Sequence, residues 1–141
     1  MLKFLKCVQL YTAVPKKHMV TFDRDNVIEE DNDLSLSFKT DISEDNKKKP
    51  TKVKLTFGVI AQSQHKEGSK PAFSALIEFD YLFKINDMKT YSSLNDDEQL
   101  DLCSSLVFLD FRRRIINSFS NAGIQGVKLP LSLQKLQEAD E

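Results

Sequence analysis

From Asn95 to Gly123 the chain carries punctuation for a helix at both ends and no glycine or proline between them. Asn95 followed by Asp96, Asp97 and Glu98 has the form of a capping box. In such a box the Asn95 side chain accepts from the Glu98 amide while the Glu98 carboxylate reaches back to the Asn95 amide. The acidic residues also favour the positive end of the helix dipole. Gly123 suits the position just past the last turn. The spacing predicts a helix over 96–122, about 40 Å long at 1.5 Å per residue. In a chain of 141 residues, which suits one domain spanning 1–141, so long a helix needs an extended layer to lie on.

The faces of this helix show how much has to cover it. Cys103, Val107, Phe111, Ile115 and Phe119 recur at every fourth position. Leu102, Leu106, Leu109 and Ile116 form an adjacent row. Together they make a stripe wider than one sheet contact uses. Two arrangements satisfy it: a helix deeply covered within a monomer, or a helix with one side on its own sheet and another on a second chain. The second predicts a homo-oligomer with an interface at Leu102, Leu106, Leu109, Arg113 and Ile116. Arg112, Arg113 and Arg114 spread about 200° around the helix, so they make no single basic patch.

The covering layer is written upstream with a period of two. Leu34, Leu36, Phe38, Thr40 and Ile42 alternate with Ser35, Ser37, Lys39 and Asp41, the pattern of a half-buried strand over 34–42. Val53, Leu55, Phe57, Val59 and Ala61 share one face of a strand over 52–62. Phe73, Ala75, Ile77, Phe79, Tyr81, Phe83 and Ile85 share one face of a strand over 72–85, with Leu76, Glu78, Asp80, Leu82 and Lys84 on the other. An apolar segment over 2–14 reads as the first strand, ended by Pro15. Residues 16–33 read as a long polar connection, with room for a short strand inside it, carrying Met19, Val20, Phe22, Val27 and Ile28; connections of that length are commonly functional. Leu131 to Ala139 has the pattern of a short terminal helix. The predicted fold is α+β: a four-stranded antiparallel sheet packed against one long helix and a short C-terminal helix.

Composition narrows the chemistry. Basic and acidic residues number 20 and 21, so nothing draws the whole chain to nucleic acid. Lys47, Lys48 and Lys49, flanked by Asp45 and Asn46, read as a solvated hairpin tip. Cys7 and Cys103 lie in apolar patterns and are expected to be reduced core residues. His18 and His65, both in predicted connections, have no partner at metal-ligand spacing. No phosphate loop, dinucleotide fingerprint or nucleophile elbow occurs. The expectation is a binding protein, not an enzyme, that needs no cofactor, metal or nucleotide. With no signal-like or membrane-spanning run, the expected location is the cytoplasm.

The order of these elements, with three stretches of residues, resembles the export chaperone SecB family. Phe4 through Thr12 is similar to that family's opening strand with its terminal Tyr-Thr. Ala72 through Phe83 resembles its fourth strand. Phe108 to Gly123, with an internal Arg113 and followed by Val127 through Leu131, resembles its long helix and exit. The resemblance implies an ATP-independent holdase that binds unfolded or pre-secretory polypeptides through apolar grooves and assembles as a dimer of dimers. The alternative is a SecB-like protein dedicated to one partner, as in toxin–antitoxin-associated chaperones or phage factors. On this reading the client-binding groove draws on Met19, Val20, Phe22, Val27, Ile28, Leu129, Leu131, Leu133 and Leu136; equally, these residues could simply close the core. The family's docking face for the export motor ATPase corresponds to Leu76 and Glu78. Leu76 stands where the family carries an acid, Asp80 and Tyr81 stand where it often has a glycine pair, and Asp110 replaces a helix proline. These departures imply weak or absent motor binding.

Overall fold

The computed structural model describes residues 2–26, 34–63 and 68–123. A helical turn, α1 (Leu2–Leu5), leads into β1 (Val8–Phe22); then come β2 (Leu34–Glu44), β3 (Lys52–Ser63), β4 (Phe73–Ile85), a short helix α2 (Met88–Ser92) and the long helix α3 (Asp96–Asn121). The strands form one antiparallel sheet in the order β1-β4-β3-β2. The first two strands therefore occupy opposite edges. Leu131 to Ala139, expected as a terminal helix, lies outside the described residues.

The core is the face the alternation singles out. Val53, Leu55, Phe57, Val59 and Ala61 of β3 and Phe73, Ala75, Ile77, Phe79, Tyr81 and Phe83 of β4 are all buried. Cys103, Val107, Phe111, Ile115 and Phe119 of α3 are buried with them. Phe111 is the hub: its ring centroid lies 4.4 Å from that of Phe57, 6.3 Å from Phe79 and 6.5 Å from Tyr81. Phe119 meets Phe73 edge-on at 5.0 Å. The capping box forms as expected, with the Glu98 amide donating to Asn95 Oδ1 at 2.8 Å and the Asn95 amide donating to Glu98 Oε1 at 3.0 Å. Gly123, at φ 88°, follows the C-cap Ala122.

Polar ties fix the helix to the sheet. The Tyr81 hydroxyl donates to Asp110 Oδ2 at 3.0 Å. Arg113 and Arg114 also donate to the Asp110 carboxylate, at 2.8 and 2.7 Å. Burial raises the Asp110 pKa, but the hydrogen bonds from Arg114, Arg113 and Tyr81 outweigh it and hold the carboxyl below its usual range. Burial first, and Asp110 second, push the Tyr81 phenol well above its ordinary value. Tyr91, the buried residue of α2, donates to Glu44 at 3.0 Å, and the Gln99 side-chain amide donates to the Tyr91 carbonyl.

Among the described residues one buried hydroxyl is left out: Ser104 Oγ on α3 has no hydrogen-bond partner among them. An unpaired buried hydroxyl costs on the order of 1–3 kcal/mol, and alanine is also the better helix former. Ser104→Ala is therefore expected to stabilise the protein by about 1 kcal/mol, read as a higher urea midpoint at unchanged slope. A loss of stability would mean that Ser104 has a partner.

The first strand differs from its expected course. It begins at Val8 and runs straight through Pro15 to Phe22. Proline terminates a strand where its missing N–H is needed by a neighbour; β1 is an edge, with a partner on one side only. The ladder also shifts register between Leu10 and Thr12 and again between Pro15 and Lys17, so Pro15 sits beside a bulge. Residues 16–22 of the expected connection are therefore strand. His18, expected in a loop, lies in β1, with its Nε2 2.9 Å from Ser118 Oγ on α3.

Candidate polypeptide-binding surfaces

Cross-strand register sorts the candidate residues onto faces, because paired residues in an antiparallel ladder project to the same side. Val20 stands opposite Ala75 and Phe22 opposite Phe73, on the side covered by α3. Met19 stands opposite Leu76, on the open side. The strand alternation thus splits Met19 from Val20 and Phe22. Val20 packs against the core, whereas Met19 is 57% exposed. Val27, Ile28, Leu129, Leu131, Leu133 and Leu136 lie outside the described residues.

The open side has an apolar row of its own. Leu76 stands between Met19 and Ile60, and Ile60 is 56% exposed. Glu78, one step along, is only 7% exposed. It fits because its neighbour on β3 is Gly58, where a Cβ would come within 3.0 Å of Glu78 Cγ. Lys39 Nζ lies 4.0 Å from its carboxylate. The motor-docking pair implied by the resemblance is therefore a half-buried leucine and a mostly covered glutamate.

The two sheet edges differ. Leu10, Tyr11, Val14, Met19 and Phe22, all on β1, are large and exposed. The strand carrying them is broken by two register shifts. β2 pairs with β3 without a shift from Leu34↔Ser63 to Glu44↔Val53, has no proline, and among the described residues has a strand on one side only. Its α3-side residues Leu34, Leu36, Phe38 and Ile42 pack against the core yet remain half-buried.

The free side of α3 forms a third surface. Leu102, Leu106, Leu109, Arg113 and Ile116 follow one another by four, three, four and three residues, the spacing of a helix–helix seam. Leu106 is 40% and Leu109 61% exposed, while Leu102 and Ile116 also touch the core. Arg113 is held by Asp110 at 2.8 Å.

Sequence reasoning missed Leu10, Tyr11 and Val14, because the apolar residues of an edge strand with two register shifts do not follow one alternation. It also missed Ile60, whose signal was present: an isoleucine on the polar side of an otherwise alternating strand.

Nothing among the described residues resembles a reactive centre. No group of three or more His, Cys, Asp or Glu could hold a metal ion among them. Both cysteines are buried and unpaired. Burial first, then the nearby Cys7 and Glu44, push the Cys103 thiol up to about 12, so it stays protonated. No described helix is long and apolar enough to cross a membrane.

No family model matches the sequence, and no curated protein matches it. A solved structure does match in shape: the SecB-like chaperone Rv1957 of Mycobacterium tuberculosis, in complex with a ChAD peptide from the HigA1 antitoxin. It shares 13% sequence identity, with a TM-score of 0.62 over 88% of this chain and 89% of that one. The agreement covers nearly the whole of both chains, and the chain has the fold of a SecB-like chaperone.

Proposed function

We propose that this protein is a chaperone-type polypeptide binder dedicated to one partner, and that the partner lies as an extended strand along β2. The carrying observation is the β2 edge: unbroken, with a row of apolar side chains half-covered on the α3 side. An added strand hydrogen-bonds through its main chain whatever its sequence, and its alternate side chains supply specificity. Here the partner's apolar residues would cover Leu36, Phe38 and Ile42, and its polar ones would stand beside Ser37, Lys39 and Asp41. The peptide carried by the similar fold of Rv1957 supports a dedicated partner over a general unfolded clientele. No nucleotide or metal takes part in this reading. A second copy of the chain covers the α3 seam and the apolar β1 strand, giving the homo-oligomer.

A fluorescent eight-residue peptide alternating valine and serine tests the edge. N-methylation at alternate residues removes the donors along one side of such a strand. Each lost bond is worth about 0.5–1.5 kcal/mol, so losing three or four should weaken binding at least about tenfold. Phe38→Ser should weaken it as well. Equal binding of the methylated and unmethylated peptides would rule out strand addition. Reduced, unfolded test proteins that compete as well as any specific partner would favour the general holdase instead.

A further inference from the structure

The open face of the sheet carries an unneutralised positive cluster at the end nearest the β2–β3 hairpin. Lys52 of β3 stands directly opposite Lys84 of β4. Lys54 is two residues along β3 from Lys52, on the same face. All three are exposed, and none forms an ion pair among the described residues. Lys84 Nζ lies 5.5 Å from the centroid of the Tyr11 ring. The adjoining hairpin adds Lys47, Lys48 and Lys49, also exposed. The neighbouring carboxylates have other duties: Asp80 accepts from the Thr56 hydroxyl, Asp87 accepts from Thr90 at the start of α2, Glu44 accepts from Tyr91, and Asp45 accepts from Thr51, Lys52 and Asn46 within the turn. The whole chain has a formal net charge of -1, so this cluster is a local concentration, not an overall excess.

Like charges directly opposite in a ladder destabilise the sheet. A cross-strand lysine pair with a third lysine beside it is a feature that folding alone does not favour. The geometry points to Lys52, Lys54 and Lys84, extended by the hairpin lysines, as a docking surface for an acidic polypeptide segment in extended form. Alternate residues of such a segment are about 6.6–6.8 Å apart, the same repeat that separates Lys52 from Lys54. Carboxylates at every second position can therefore meet successive lysines. Asp80 and Asp41 both stand opposite Thr56 on this same face and end the basic row one step beyond Lys54, so the acidic stretch of the segment lies over Lys52, Lys54 and Lys84 and continues toward the hairpin lysines, not along the sheet past Thr56. This surface is separate from the β2 edge and stands whether or not that edge takes a partner.

The test uses the full chain and a fluorescein-labelled peptide of four Glu-Ser repeats at low ionic strength. A (dT)12 oligonucleotide and phosphatidylserine-containing vesicles serve as comparison ligands. The peptide is expected to bind and to be released by salt. The triple variant Lys52→Gln, Lys54→Gln, Lys84→Gln should bind it at least tenfold more weakly. That variant should melt no lower than the parent, since it removes a repulsive pair. If the triple variant does not fold, Lys54→Gln alone is expected to weaken peptide binding severalfold. The proposal is overturned if the peptide fails to bind, if the substitutions leave its affinity unchanged, or if the oligonucleotide or the vesicles bind more tightly than the peptide. The valine–serine peptide of the edge test should bind parent and triple variant alike; if the triple variant loses that peptide as well, the lysines act through the fold and the docking surface is rejected.

Discussion

Replacing Phe111 with alanine is expected to destabilise the protein by about 3–5 kcal/mol, the usual cost of deleting a fully buried phenylalanine. Phe111 is fully buried, and its ring touches both central strands through Phe57, Phe79 and Tyr81. Three aromatic rings held by the sheet cannot collapse into the space without leaving their ladder positions, so the cavity would persist. Against a typical total of about 5–15 kcal/mol, the folded-to-unfolded ratio falls by roughly two to three and a half orders of magnitude. Urea denaturation would show a lower midpoint at an unchanged slope. A cost under about 1.5 kcal/mol, the range of conservative core changes, would mean that α3 does not sit on the sheet as described.

Leu109→Glu is expected to dissociate the assembly. Leu109 is the most exposed apolar member of the α3 seam, at 61%, so a monomer has little reason to miss it. In a two-fold interface the same residue is lost from both partners. Burial of each leucine contributes about 1.5–3 kcal/mol, and two copies give about 3–6 kcal/mol before any penalty for burying the new carboxylates. Dimer affinity should fall by two to four orders of magnitude. Sedimentation would then show the parent as a multiple of 16.2 kDa and the variant near that mass, with unchanged circular dichroism. A parent that is already monomeric at micromolar concentration would remove the oligomer from the proposed function.

The parts of this fold that could be read from the sequence are those where burial is one-sided or complete. β4 alternates cleanly because it has a strand on each side and a helix over one face, so every second position is apolar. The ends of α3 were readable because Asn95, Glu98 and Gly123 act locally. β1 was not: it is an edge with both faces partly wet, so its apolar residues need not alternate. Pro15 is a breaker only when a neighbouring strand asks for its N–H. Met19, Val20 and Phe22 looked like a loop surface for the same reason, although Met19 ends up on the face opposite to the other two. The lysine cluster was harder still. Lys52 and Lys84 are far apart in the chain and each is unremarkable alone; only the register of β3 on β4 makes them a pair.

The strand order also sets a timetable for assembly. β2, β3 and β4 follow one another as hairpins and can pair as soon as each is made. β1, the first strand of this sheet in chain order, has to wait: Val8 pairs with Ile85 and Phe22 with Phe73, so among the described residues its only ladder partner is the last strand of the sheet. Closing so long a loop is entropically slow. During that interval Leu10, Tyr11, Val14, Met19 and Phe22 have no ladder to join. The most apolar edge of the finished molecule is thus also the longest-unpaired segment of the growing one, and until β4 arrives a new chain presents the kind of unpaired, extended segment that the proposed activity serves to hold.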